Sequence, residues 1–66
     1  MFRFKPKSYQ LSGSMKWIPN ADIFEINGDK MNITEECSLR EYEFDSKGEA
    51  DAFITKHCLE KGMELL

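Results

Sequence analysis

The chain of 66 residues is long enough for a single domain, 1–66, and offers little depth for a catalytic cleft. With 41% hydrophobic and 32% charged residues, it has the composition of a globular protein and not of a disordered one. The net charge of −3 argues against a nucleic-acid-binding domain, and the lack of a long apolar run predicts a cytoplasmic protein without a membrane segment.

The first predicted strand covers residues 2–5, where two aromatic residues alternate with Arg3 and Lys5. This is the period of a strand with one face on a core, so we expect the rings to point inward and the basic side chains outward. Pro6 cannot donate the next ladder hydrogen bond, and the strand is therefore expected to end there.

A second strand is predicted over 15–18, after a turn at Ser12-Gly13-Ser14. Met15 and Trp17 would share one face of this strand, because side chains two positions apart point the same way. Pro19 is expected to end it.

The dipeptide Asn27-Gly28 is the strongest local pattern, since both residues tolerate positive φ and together predict a two-residue hairpin turn. The hairpin would join strands over 22–26 and 31–34. Four apolar side chains of these strands are expected to face the core: Phe24, Ile26, Met31 and Ile33.

The last predicted strand, 39–44, has aromatic residues on one side and acidic residues on the other. Side chains on one strand face are about 6.5–7 Å apart, so Glu41, Glu43 and Asp45 would form an extended anionic row. Such a row suits recognition of a basic protein surface by electrostatic complementarity. An ordinary solvated strand face accounts for the same pattern.

A helix is predicted over 47–61. Ser46 and Glu49 match a capping box at its start, and Gly62 can take the left-handed conformation that ends a helix. Five residues recur with helical spacing and are expected to face the core: Ala50, Phe53, Ile54, His57 and Cys58.

These elements predict the α+β class, as a two-layer open-faced sandwich in which an antiparallel sheet of three to four strands packs against one C-terminal helix. The helix has one apolar face, and the sheet is the only layer that can bury it. The second face of the sheet has no cover in a monomer. Because domains of this size often need further stabilisation, we expect a homodimer.

Metal and thiol chemistry have weak sequence support. Cys37, His57 and Cys58 are only three candidate ligands, whereas structural zinc sites use four at close, repeated spacings. No signature of a cysteine enzyme is present, and two cysteines in a cytoplasmic protein are expected to be thiols. The sequence therefore predicts no enzyme, metal or cofactor.

Residues 1–21 hold four basic residues and no acidic one, whereas residues 22–66 hold five basic and all 12 acidic residues. Pairing of basic with acidic strands across the sheet explains this asymmetry. Single-stranded nucleic acids are instead bound by sheets that combine cations with aromatic rings. The candidate residues for that activity are Arg3, Lys5, Lys7, Lys16 and Trp17.

We therefore expect a small non-enzymatic protein-interaction or regulatory module. It would bind a partner protein, or a second copy, through a sheet face and the acidic edge formed by Glu41, Glu43 and Asp45. The alternative is binding of single-stranded nucleic acid through the N-terminal strands, with an affinity that falls steeply as salt rises.

Overall fold

The computed structural model describes residues 1–66 and contains one helix and six strands. The elements are β1 (Phe2–Pro6), β2 (Tyr9–Gln10), β3 (Trp17–Ile18), β4 (Asn20–Asn27), β5 (Lys30–Ser38), α1 (Lys47–Glu60) and β6 (Glu64–Leu65). Four strands form the main sheet in the order β5-β4-β1-β6, and β2 pairs with β3 in a second, two-stranded sheet. The predicted α+β architecture is confirmed, although β6 runs parallel to β1 and makes the main sheet mixed.

Both ends of α1 are set by local sequence. Ser46 is extended and its Oγ accepts a hydrogen bond from the Glu49 N–H at 3.2 Å, which is the first half of the predicted capping box. At the other end Gly62 has φ of 87°, and the N–H of Met63 donates to the Cys58 carbonyl at 3.1 Å. These are features of a Schellman motif, which turns the chain towards β6. This helix is neither long nor apolar enough to cross a membrane.

The core lies between α1 and the two central strands of the main sheet. Residues from both layers build it, each at most 1% exposed: Phe4, Ala21, Ile23, Ile54 and Cys58. Phe4 on β1 and Ile23 on β4 are cross-strand partners, so their side chains share the face that the helix covers. The expectation that alternate residues of β1 point inward is confirmed at Phe4. Phe2 is exposed because it lies near the end of the sheet.

The second predicted strand is half as long as expected. Only Trp17–Ile18 is extended, because Met15 has φ of 63° and closes a loop in which the Leu11 N–H donates to the Lys16 carbonyl at 2.8 Å. The predicted turn at 12–14 is confirmed as part of this loop. The loop joins β3 to β2, a strand that the sequence did not predict.

The predicted hairpin forms, but its turn lies one residue later than expected. Asn27 pairs with Lys30, so Gly28 and Asp29 are the central residues, and only Gly28 has positive φ, at 61°. Glycine at the first central position of a two-residue turn matches the strand twist.

The return strand β5 extends to Ser38, well beyond the predicted 31–34. Its polar residues are compatible with a strand because β5 is the sheet edge and most of its side chains are exposed. A bulge interrupts its pairing, since Ile23 pairs with Glu35 whereas Phe24 pairs with Ile33. Thr34 is the extra residue, and its hydroxyl donates a hydrogen bond to the Ile23 carbonyl oxygen at 3.3 Å.

The strand predicted over 39–44 is wrong. β5 already occupies the edge beside β4, and the chain then turns, with the Tyr42 N–H donating to the Leu39 carbonyl at 3.2 Å. Phe44 alone makes a bridge, to Trp17. The rings of Tyr42 and Phe44 both pack on Phe53, with centroid distances of 4.6 and 5.2 Å. Phe53 therefore belongs to a small aromatic cluster beside the core, and not to the core itself.

Candidate functional site

The face of the main sheet opposite the helix is uncovered and carries apolar side chains. Ile23 points to the helix, so its neighbour Phe24 points away from it. Cross-strand partners share a face, which places Arg3 and Ile33 on either side of Phe24. By the same register, the residues of this open face are Arg3, Lys5, Asp22, Phe24, Ile26, Met31, Ile33 and Glu36.

Four of these residues form an apolar patch: Phe24, Ile26, Met31 and Ile33. The expectation that they face the core is wrong, since Met31 is 51% and Ile33 64% exposed. The physical reason is that β4 is apolar on both faces, with Ala21 and Ile23 taking the positions against the helix. Alternation shows which residues share a face but not which face the helix covers.

The apolar patch extends onto the end of the β4–β5 hairpin, which is the part of the main sheet with the fewest neighbouring strands. Residues 27–36 are all exposed, and β1 pairs with β4 only as far as Glu25. The hairpin beyond that point has just two strands, which are marginally stable in water by themselves. The bulge at Thr34 makes the edge strand β5 irregular, and bulges in edge strands discourage pairing with a foreign strand. The open face is therefore a better candidate for contact than the sheet edge.

Charges of opposite sign flank the patch. Lys5 on β1, Asp22 on β4 and Glu36 on β5 are paired in one row across the open face. Lys7 Nζ lies 3.8 Å from Asp22 Oδ2, so Asp22 already has a cationic neighbour. Arg3 Nε is buried and has no hydrogen-bond partner. Basic groups thus lie on the β1 side of β4, and Glu36 lies on the β5 side.

The acidic residues predicted to bind a partner do not form a row. Glu41, Glu43 and Asp45 are exposed in the connection between β5 and α1, where no strand aligns them. Asp45 forms an ion pair with Lys16. The hydrogen bond and charge of Lys16 lower the pKa of Asp45, and the same interaction raises the pKa of Lys16. One of the three carboxylates is therefore neutralised within the domain.

The residues predicted to bind nucleic acid are divided between two places. Arg3 and Lys5 lie on the open face, and Lys7 lies beside it, where its ammonium group is close to the carboxylate of Asp22. Lys16 is engaged by Asp45, and Trp17 lies on β3, half-buried and bridged to Phe44. The open face does hold one ring, Phe24, beside Arg3.

The structure contains no cavity and no cluster of three or more residues able to hold a metal. It does bring together two residues whose proximity the sequence did not indicate. Cys37 packs against the core cluster that includes Cys58, and both are free thiols. Burial, together with the neighbouring Cys37, raises the pKa of the Cys58 thiol to about 11. Their proximity links β5 with α1 and follows only from the tertiary structure.

Comparison with known proteins finds no relative: no family model, curated protein or solved structure matches the chain. The residues of the open face and the cysteine pair are therefore the features on which functional proposals rest.

Proposed function

We propose that the protein is a non-enzymatic protein-interaction module and that its open face binds a second copy of the chain. The observation that carries this proposal is the apolar patch on the face opposite the helix, in which Met31 and Ile33 are more than half exposed. Large contiguous apolar patches are uncommon on monomeric proteins and commonly mark contact sites.

A second copy is supported first by the small core. Only 10 of the 66 residues are buried, and domains below about 70–80 residues often gain stability from oligomerisation. Two open faces packed on each other would bury both apolar patches and support both two-stranded hairpin ends. The product would be a sheet-on-sheet sandwich with a helix on each outer side, and sheets commonly pack face to face in this way.

The charges of the open face also suit a second copy. In a dimer whose two-fold axis runs along β4 between the facing sheets, β1 of one copy lies over β5 of the other. Lys5 of each copy then comes near Glu36 of the other, which is electrostatically complementary. Asp22 would lie close to the axis, where Lys7 offsets its charge.

Sedimentation velocity of the full chain over a wide concentration range tests the proposal. The wild type should show a concentration-dependent dimer. Ile33→Lys should weaken association about tenfold or more, because burying such a side chain is worth roughly 1.5–3 kcal/mol and 1.4 kcal/mol is tenfold in affinity. Leu59→Lys is the matched control, since Leu59 is 52% exposed but lies on α1. Circular dichroism would show that both variants are folded.

A wild type that remains monomeric throughout, or a Leu59→Lys effect as large as that of Ile33→Lys, would contradict the second copy as occupant. Replacement of Glu41 and Glu43 by lysine should leave self-association unchanged. Loss of the dimer in that variant would show that the connection between β5 and α1, and not the open face, forms the contact. A monomer that binds a fluorescent single-stranded oligonucleotide, with affinity reduced by salt and by Arg3→Glu, would favour the nucleic-acid alternative.

A further inference from the structure

The two cysteines occupy facing positions in the two layers. Cys37 on β5 is paired with Ala21, a core residue, so its side chain points to the side of the sheet that α1 covers. Cys58 on α1 is completely buried in the same core. Cys37 packs against this cluster and lies close enough to Cys58 to raise the pKa of its thiol, so the two side chains are neighbours although they are far apart in sequence.

The two thiols differ in accessibility. Cys37 lies half-buried at the border of the core, whereas Cys58 is enclosed. Enclosure also raises the pKa of Cys58, which lowers its thiolate fraction, and the thiolate is the reactive form. A reagent from solution therefore meets Cys37 first, because Cys58 has no exposed surface.

We propose that Cys37 and Cys58 are a redox modification site, at which a low-molecular-weight disulfide such as glutathione disulfide converts them into an intramolecular disulfide between β5 and α1. The site is independent of the second-copy contact, since neither cysteine belongs to the open face.

The chemistry is two successive thiol–disulfide exchanges. The Cys37 thiolate attacks one sulfur of glutathione disulfide, the bond between the two glutathione sulfurs breaks, and one glutathione leaves and takes up a proton. Cys58 then loses its proton and attacks the Cys37 sulfur of the mixed disulfide, which releases the second glutathione. Two protein thiols are oxidised, and one glutathione disulfide is reduced to two thiols.

The bond would tie the edge strand β5 to the helix. β5 carries two of the most exposed apolar residues of the open face and has no strand on its outer side. A covalent link between the layers closes a loop in the unfolded chain and disfavours unfolding. The oxidised protein should consequently melt at a higher temperature than the reduced one.

The test treats the folded full chain with glutathione disulfide, quenches with acid, alkylates remaining thiols after denaturation and measures intact mass. The wild type should lose two hydrogen atoms and accept no alkyl group, and dithiothreitol should reverse the change. Cys58→Ser should stop at one glutathione adduct. Cys37→Ser should react about tenfold or more slowly than Cys58→Ser, because its remaining thiol is buried. Cys58→Ala replaces Cys58→Ser if the polar substitution prevents folding.

Three results would overturn the proposal. They are two glutathione adducts on the wild type, a disulfide between two chains, and a wild-type mass that stays unchanged under conditions in which Cys58→Ser gains its adduct. The melting temperature supplies a second readout. Oxidation should raise it in the wild type and leave it unchanged in Cys37→Ser. An oxidised wild type that melts no higher than the reduced protein would contradict a stabilising link between β5 and α1.

Discussion

The backbone N–H of Ser8 donates a hydrogen bond to Asp51 Oδ1 at 3.1 Å, which connects the segment after β1 to the first half of α1. Lys47 Nζ lies 2.6 Å from the other carboxylate oxygen. Burial by itself raises the pKa of Asp51, but the hydrogen bonds from Lys47 and Ser8 outweigh it, and the net effect is a lowered pKa. Asp51 thus stabilises the fold as a carboxylate.

Asp51→Asn should lower the free energy of unfolding at neutral pH by about 1–2 kcal/mol, the range for hydrogen bonds to a partly exposed charged group. An unfolded aspartate has a pKa of about 3.9 and folded Asp51 a lower one, so stability from ionisation is present above about 3.9. It is lost as pH falls through the folded pKa. Urea unfolding at neutral and strongly acidic pH measures the wild-type–variant difference, which should shrink in acid.

Glu60→Gln is the control for this measurement, because Glu60 is exposed on the same helix and makes no side-chain hydrogen bond. It should change stability by less than about 0.5 kcal/mol. A difference between wild type and Asp51→Asn that stays constant with pH would mean that the carboxylate charge does not contribute.

Adjacent helix residues should differ in their sensitivity to truncation. Ile54 is completely buried in the core, so Ile54→Ala should cost about 2–5 kcal/mol, which could unfold so small a domain. Ile54→Val should cost about 0.5–1.5 kcal/mol and stay measurable. Phe53 is only half-buried against Tyr42 and Phe44, and Phe53→Ala should cost less than the roughly 3–5 kcal/mol of a core phenylalanine. Chemical denaturation that ranked Phe53→Ala as more damaging than Ile54→Ala would contradict this core.

Local sequence predicted the elements whose determinants are local. Ser46 and Gly62 delimit α1 within one residue, and Gly28 lies in the predicted hairpin turn, because cap and turn preferences act over three or four residues. The strand over 39–44 failed for a non-local reason, since β5 had already taken the edge beside β4. The aromatic residues at 42 and 44 do share a contact, with Phe53, but across a turn.

The sequence predicts that one face of the sheet is uncovered, but it does not predict which residues lie on that face. One helix can cover only one face of a sheet, which left the other uncovered in any arrangement. The alternation of Phe24 and Ile26 predicts a core position for both residues, yet Ala21 and Ile23 alternate as well, and β4 cannot bury both sets under α1. The proximity of Cys37 and Cys58 depends on packing between layers, which no local pattern encodes.

The N-terminal cap of α1 provides a further stability test. Ser46→Ala removes the oxygen that accepts from the Glu49 N–H, and should lower the free energy of unfolding by about 1 kcal/mol. Ser46→Asp should retain most of the stability, since a carboxylate caps the same N–H and suits the positive end of the helix. Thermal unfolding of both variants checks this, and an equal loss in the two would assign the effect to packing instead of capping.

Two glycines in open surroundings should respond to alanine in opposite directions. An added Cβ would meet nothing within 4 Å at either Gly62 or Gly48, so contacts do not decide the outcome. Gly62 has φ of 87° in the Schellman motif, where alanine is strained, and Gly62→Ala should lower the free energy of unfolding by about 1–2 kcal/mol. Gly48 lies in the first turn of α1 without positive φ, and Gly48→Ala should raise it by up to about 1 kcal/mol. Urea unfolding of the two variants beside wild type measures both changes. A Gly62→Ala variant as stable as wild type would show that Gly62 is not held in the left-handed conformation in solution, and a destabilised Gly48→Ala variant would contradict the helical conformation at Gly48.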